Sequence, residues 1–177
     1  MDRKLLLNAC KDLSKAGVWC IPESTLWACA GHPDKAYLRV AMSRHVKAGI
    51  IDRISSGLYA NPFLQAPAVG LFRLTNFLRP LDSFYLSCES VLSEYGWISQ
   101  LPFCLTIVTT GRSHRFSTSL GDIDFVHTQE DPMTWPGQLS FDEDRQMWVA
   151  SPEKAFADLK RYRRNLNLVL PESERPD

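Results

Sequence analysis

Two carboxylates one residue apart, Asp122 and Asp124, have the types and spacing that could do chemistry. In nucleotidyl-transfer enzymes, a pair of acids spaced in this way on a strand holds two metal ions, which stabilise the attacking and leaving oxygens. Such a site also needs a glycine turn and a helix upstream to cradle phosphate. Here the turn would be 111–113, Gly-Arg-Ser, and the eight residues between it and Asp122, HRFSTSLG, have the pattern of a hairpin. Alternating acids are also typical of the solvent face of an ordinary strand, so metal-dependent nucleotidyl transfer is kept as the alternative hypothesis.

Cysteine and serine residues offer no second candidate for catalysis. The five cysteines are scattered, contain no CxxC pair and match no zinc-ligand spacing, which favours small buried thiols in a reducing compartment. No Ser-His-Asp or Cys-His arrangement is marked by local sequence. We therefore predict that the chain is not an enzyme and needs no metal or cofactor.

Basic residues are distributed unevenly along the chain. Residues 1–60 contain nine Lys and Arg against five Asp and Glu, a net charge of +4, whereas residues 61–177 contain eleven against fifteen, a net charge of −4. This asymmetry indicates two modules with different partners, and the positive one is suited to nucleic acid.

Overall composition is that of a globular chain. The sequence has 177 residues, of which 45% are hydrophobic and 23% charged, enough for one or two small domains. No apolar run approaches the roughly 18 residues of a membrane span, and the first residues, MDRKLLLNACKD, do not resemble a signal peptide. We expect a cytoplasmic protein without a membrane partner.

Apolar spacing predicts three short helices within residues 1–62. They cover residues 3–15, the segment from Pro22 to Gly31, and the segment from Asp34 to Gly49, and a glycine follows each of them. The side chain of Asp34 is suited to cap the third helix. A tight turn before the third helix predicts a helix-turn-helix.

A hairpin is predicted immediately after the third helix. The β-branched segment IIDRI is followed by the turn residues SSG and by LYANP, which ends at a proline that cannot continue a strand. Three helices followed by such a hairpin constitute a winged helix-turn-helix, with the hairpin as its wing. Residues 1–62 are therefore predicted to form a winged DNA-binding domain.

One face of the third helix is suited to lie against DNA. Leu38, Met42 and Val46 fall on its inner face, and the opposite face carries small residues, a hydroxyl and bases. The alternative is a helical bundle with an ordinary solvated basic face. The residues predicted to contact DNA are Lys35, Tyr37, Arg39, Val40, Ser43, Arg44 and Lys47 on the helix and Arg53 on the wing.

The rest of the chain is predicted to be a helical connector, residues 63–80, and a small α+β domain, residues 81–177, with an antiparallel sheet. A helix is expected from Ser87, strands in FCLTIVTT, RSHRFST, GDIDFVHT and RQMWVA, and a final helix capped by Ser151. Four bases near the end of the final helix form a possible partner or nucleic-acid surface: Lys160, Arg161, Arg163 and Arg164.

Several segments taken together resemble the AbiEi family of antitoxins from bacterial type IV toxin–antitoxin systems, which also affect phage defence by abortive infection. They are KAGIIDRISSGLYANP, YLSCESVLSEYGWISQLP, FCLTIVTTGRSHRF, GDIDFVH and ASPEKAFADLKRY, and the resemblance extends over nearly the whole chain. It implies an N-terminal winged helix that binds inverted repeats and represses its own operon. It also implies a C-terminal domain that counters a nucleotidyltransferase toxin encoded alongside, so that nucleotidyl transfer belongs to the partner.

The resulting hypothesis is a transcriptional repressor and antitoxin that binds promoter DNA with inverted repeats as a monomer or weak homodimer. Two alternatives belong to other classes: the nucleotidyltransferase-like enzyme using Asp122 and Asp124, and a winged-helix adaptor that binds protein instead of DNA. Salt-dependent binding to a promoter repeat would separate the repressor from the adaptor.

Overall fold

The computed structural model describes residues 1–176, which divide into two compact units. The N-terminal unit comprises residues 1–70 and the C-terminal unit begins at residue 71. Because residues 61–70 contain no Lys, Arg, Asp or Glu, the N-terminal unit keeps the net charge of +4 and the remainder of the chain carries −4. The charge asymmetry therefore coincides with the structural division.

Three helices and a three-stranded antiparallel sheet form the N-terminal unit, and the strand order is β1-β3-β2. The predicted helices and hairpin are present, whereas the first strand was not predicted because it is only three residues long. The elements are α1 (Arg3–Lys15), β1 (Cys20–Pro22), α2 (Glu23–Cys29), α3 (Lys35–Lys47), β2 (Asp52–Ser55) and β3 (Leu58–Ala60).

Apolar side chains from every helix of the N-terminal unit meet in one core. Leu6 of α1, Leu26 of α2 and Met42 of α3 are fully buried there with Tyr59 of β3. Asn61 fastens the end of the hairpin to this core, because its buried amide donates hydrogen bonds of 2.9 and 2.8 Å to two backbone carbonyl oxygens of the α1–β1 region. The hairpin is thus held by both packing and hydrogen bonds.

The C-terminal unit is built on a six-stranded sheet in the order β6-β7-β5-β4-β9-β8. The first helix of this region begins at Gly70, inside the segment predicted as a connector, and the predicted helix from Ser87 begins at Glu89 instead. The elements are α4 (Gly70–Leu78), β4 (Phe84–Leu86), α5 (Glu89–Glu94), β5 (Cys104–Thr109), β6 (His114–Thr118), β7 (Gly121–His127), β8 (Leu139–Asp142), β9 (Met147–Ala150) and α6 (Pro152–Arg161), with 3₁₀ turns at Pro132–Thr134, Leu166–Leu168 and Glu172–Glu174.

The sheet was predicted to be antiparallel, but it is mixed. Strands β5 and β7 pair in parallel, and so do β4 and β9. The hairpin of β6 and β7 explains the first pair: β6 lies at the outer edge, which leaves β7 to return beside β5 in the same direction. The α+β class of the chain is nevertheless confirmed, with six α-helices and two sheets within residues 1–176.

A buried ionic cluster joins α6 to the sheet. Asp158, which is 1% exposed, accepts hydrogen bonds from Lys154 Nζ at 2.8 Å, Tyr85 Oη at 3.0 Å and Ser87 Oγ at 2.7 Å. Lys154 Nζ also donates to Glu130 at 2.9 Å. Burial works against charge on Glu130, but the hydrogen bond and charge of Lys154 still hold its pKa below the usual value. The buried charges of Asp158 and Lys154 are therefore each within hydrogen-bond distance of a charge of opposite sign.

The reactivity of the five cysteine thiols tests which of them are buried in the fold. Burial raises the pKa of Cys10 to about 11 and that of Cys20 to about 12, and it also raises the pKa of Cys88 and Cys104. Cys29 is exposed. Because the thiolate is the reactive form, we expect a thiol reagent at pH 8 to modify Cys29 rapidly and the other thiols slowly or after unfolding. Mass spectrometry of the labelled chain measures this, and a Cys29→Ser variant that kept the rapid phase would contradict it.

No helix within residues 1–176 combines the length and the apolar character needed to cross a bilayer.

Candidate nucleic-acid interface

Helix α3 is held by its inner face and its N-terminus. Leu38 and Met42, one turn apart, are buried in the core of the N-terminal unit. The Asp34 carboxylate accepts a hydrogen bond of 2.9 Å from the backbone N–H of Tyr37, which confirms the predicted cap. These contacts determine which residues of the helix face the solvent.

The outer face of α3 carries the predicted DNA-contacting residues in an exposed stripe. Tyr37 is 58% exposed and Val40 is 51% exposed, while Arg44 and Lys47 are exposed and Ser43 is half-buried. Within residues 1–176, neither Arg44 nor Lys47 forms an ion pair. Their charges are therefore available to an external anion, and we call Tyr37, Val40, Arg44 and Lys47 the α3 stripe.

Two other bases on α3 already have partners inside the N-terminal unit. Arg39 Nε donates to Glu23 at 3.0 Å, although the arginine side chain remains 69% exposed. Lys35 Nζ lies 5.4 Å from the centre of the Trp27 ring, a cation–π distance. These contacts connect α3 to α2, so both residues have a structural role beside the predicted one.

Arg53 lies on the hairpin directly opposite Tyr59. Its guanidinium carbon is 5.6 Å from the centre of the Tyr59 ring, and the arginine is exposed whereas the tyrosine is buried. The strands are joined by a turn containing Gly57, whose φ of +72° favours glycine. Arg53 thus shields an aromatic ring while it presents a positive charge to solvent.

The second predicted basic surface, at the end of α6, is largely engaged in intramolecular contacts. Arg161 pairs with Glu130, and Arg164 pairs with both Glu89 and Asp124. Lys160 Nζ lies 4.0 Å from the centre of the Phe156 ring. Arg163, by contrast, is exposed and has no ion-pair partner among the described residues. The four bases therefore do not form one continuous free patch.

Asp122 and Asp124 lie on β7, and each is bound to an arginine. Arg115 Nη2 donates to Asp122 at 2.7 Å, and this hydrogen bond holds the pKa of Asp122 below its usual value. Arg164 Nη1 donates to Asp124 at 2.8 Å. A two-metal site would have to displace both arginines, so this arrangement of charges favours ion pairs between neighbouring elements over metal coordination.

Glu89 is a residue whose importance the sequence did not reveal. It is 4% exposed at the start of α5 and accepts from Arg164 Nε at 3.0 and 3.1 Å, from Asn165 Nδ2 at 2.7 Å and from Thr106 Oγ1 at 3.2 Å. In the sequence it reads as an ordinary acid in a first helical turn. Its partners lie 17 to 76 residues away along the chain, so no local pattern could identify it.

No protein-family model matches the chain, and no curated protein matches its sequence.

Proposed function

We propose that the protein is a DNA-binding transcriptional repressor whose N-terminal unit is a winged helix-turn-helix. The observation that carries this proposal is the α3 stripe, a set of exposed side chains with two unpaired bases, on a helix followed at once by a two-stranded hairpin with an exposed arginine. In a winged helix, the third helix lies in the major groove and the hairpin lies beside it. The order α1-β1-α2-α3-β2-β3 supports this reading.

The chemistry of the stripe suits a DNA surface. Arg44 and Lys47 can donate to phosphate or to the acceptor edge of guanine, and Val40 can contact a thymine methyl group. Arg53 of the hairpin would add a contact to phosphate or to the minor groove. The positive charge of the N-terminal unit, +4, would attract the duplex before these contacts form.

A short recognition helix reads few base pairs, so the proposed operator contains inverted repeats. Two N-terminal units would occupy half-sites about 34–36 Å apart, one turn of DNA. The protein would bind these half-sites as a monomer or a weak homodimer, and it would do so in the cytoplasm.

The antitoxin part of the proposal rests on the resemblance to the AbiEi family. The C-terminal unit would oppose a nucleotidyltransferase toxin encoded beside it, in a type IV system of the abortive-infection type. The separate net charges of the two parts of the chain, +4 and −4, support a division of labour in which the first binds DNA and the second serves another partner.

The salt dependence of DNA binding tests the proposal. If Arg44, Lys47 and Arg53 each replace a counterion, the logarithm of the affinity should fall against the logarithm of salt concentration with a slope of about −3 per bound chain. Fluorescence anisotropy with a labelled duplex from the region upstream of the gene measures this slope. A scrambled duplex of the same composition is the control, and it should bind more weakly. Failure to bind the upstream duplex at about 50 mM salt, where charges are screened less than at physiological ionic strength, would favour the protein–protein adaptor.

A further inference from the structure

The turn between β5 and β6, which the repressor proposal does not use, lies in an open cleft of the C-terminal unit. The residues that line the cleft are Arg79, Asp82, Thr110, Gly111, Arg112, Ser113 and His127. Although the part of the chain beyond residue 60 has a net charge of −4, this cleft brings together two arginines against one carboxylate. The local charge is thus opposite to that of its surroundings.

Hydrogen bonds from Arg79 and His127 engage three acceptors of the turn. Arg79 Nη2 donates to the carbonyl oxygen of Arg112 at 2.7 Å, and the backbone N–H of His127 donates to Ser113 Oγ at 2.9 Å. The ring nitrogen Nδ1 of His127 lies 2.9 Å from the carbonyl oxygen of Gly111. Because a carbonyl oxygen only accepts, Nδ1 carries the hydrogen in this contact.

The same hydrogen bonds leave donors free. Ser113 Oγ accepts from His127, so its own hydroxyl hydrogen can be donated to another group. The backbone N–H groups of Arg112 and Ser113 have no acceptor within residues 1–176, and the guanidinium of Arg112, which is exposed, forms no ion pair there. A cleft with a net positive charge and several free donors is complementary to an anion with several oxygens.

Asp82 limits the charge of the cleft without cancelling it. Its carboxylate is shared with Arg79 Nη1 at 3.4 Å and packs against Gly111 so closely that a Cβ there would collide with it. A side chain at position 111 would therefore require the Asp82 carboxylate to move. Arg112 remains as the uncompensated positive charge.

We propose that this cleft binds a phosphate group, with the Arg112 guanidinium, the Ser113 hydroxyl and the two backbone N–H groups as donors. A terminal phosphate of a nucleotide and a phosphate of a nucleic-acid backbone present the same chemistry to these donors. This site is separate from the α3 stripe and does not depend on DNA binding by the N-terminal unit.

Residue-resolved NMR of the full ¹⁵N-labelled chain provides the test. Sodium phosphate, added at constant ionic strength against sodium chloride, should produce saturable shifts of the Arg112, Ser113 and His127 amide signals. Arg112→Gln should weaken this binding at least about tenfold, since it removes a charge-assisted hydrogen bond. Asp82→Asn should strengthen it severalfold because a negative charge is lost.

Arg115→Gln is the matched control. It removes the same charge only three residues away, but Arg115 is already bound to Asp122, so phosphate binding should change less than about twofold. Shifts that do not saturate, or an equal loss in both arginine variants, would overturn the proposal and leave a nonspecific ionic effect.

Two further titrations identify the source of the phosphate. Stronger saturation of the same signals by deoxyadenosine monophosphate than by inorganic phosphate would assign the site to nucleotides. Stronger saturation by a short DNA duplex would assign it to the nucleic-acid backbone. Each result supports a phosphate site, whereas movement of none of these signals with any of the three probes would overturn it.

Discussion

Replacing Arg44 and Lys47 together by alanine is expected to weaken binding to operator DNA by roughly a hundredfold or more. Each residue can make a charge-assisted hydrogen bond, and such bonds contribute about 1.5–3 kcal/mol. The slope of affinity against salt should also become shallower by about two. Both side chains are exposed, so their removal should leave the N-terminal unit folded.

A matched variant separates direct contact from a general effect of charge. Lys4 and Lys11 are exposed on α1, seven residues apart on one face, and Lys4→Ala with Lys11→Ala removes the same two charges. We expect this control to weaken binding less than about tenfold, because only long-range attraction is lost. Fluorescence anisotropy of the two double variants, with circular dichroism to verify folding, makes the comparison. Equal losses in both variants would contradict the placement of DNA on α3.

The elements of the N-terminal unit were predictable because their signals are local. In α3, apolar residues recur at helical spacing, Asp34 caps the first turn, and Gly49, with φ of +64°, follows the last. The same periodicity predicted that Leu38 and Met42 point inward, which left the α3 stripe outside. The sequence could not show that Arg39 pairs with Glu23, because those residues meet only when α2 packs beside α3.

The C-terminal unit was less predictable because distant segments determine its sheet. Strands β4 and β8 have only three and four residues, too few to show alternation, and β4 is stabilised by β5 and β9, which are remote in sequence. The parallel pairing of β4 with β9 joins segments more than sixty positions apart, as in the register of Tyr85 with Trp148. No local pattern specifies the direction of such a pair.

The basic end of α6 illustrates the same limit for a functional site. Composition alone indicated a positive surface, but Arg164 reaches back 75 residues to Glu89 and 40 residues to Asp124. These ion pairs convert a predicted interaction surface into a structural connection between α5, β7 and the end of α6. They also explain why acids and bases that looked like separate motifs in the sequence are one cluster in the fold.

Removing the carboxylate of Asp158 is expected to lower the free energy of unfolding of the C-terminal unit by about 3–5 kcal/mol, the usual effect of breaking a buried ion pair. In Asp158→Ala, Lys154 would remain only 8% exposed with Glu130 as its remaining acidic partner. The hydroxyls of Tyr85 and Ser87 would lose their acceptor at the same time. Since small domains have only about 5–15 kcal/mol of stability, this change should remove a large part of it.

Urea denaturation followed by the amide signals of β4 and β9 would measure this loss separately from unfolding of the N-terminal unit. Asp12→Ala is the matched control, followed by the amide signals of α1 because Asp12 lies in the N-terminal unit: Asp12 also accepts from a lysine at 2.8 Å, but both side chains are at least 70% exposed, so its removal should destabilise that unit far less. Asp158→Asn should fall between the two, because an amide oxygen can still accept from a hydroxyl but cannot balance the charge of Lys154. If Asp158→Ala were no more destabilising than Asp12→Ala, Asp158 would not be the ionic anchor of α6. The geometry favours the larger loss because three donors converge on one carboxylate that solvent cannot reach.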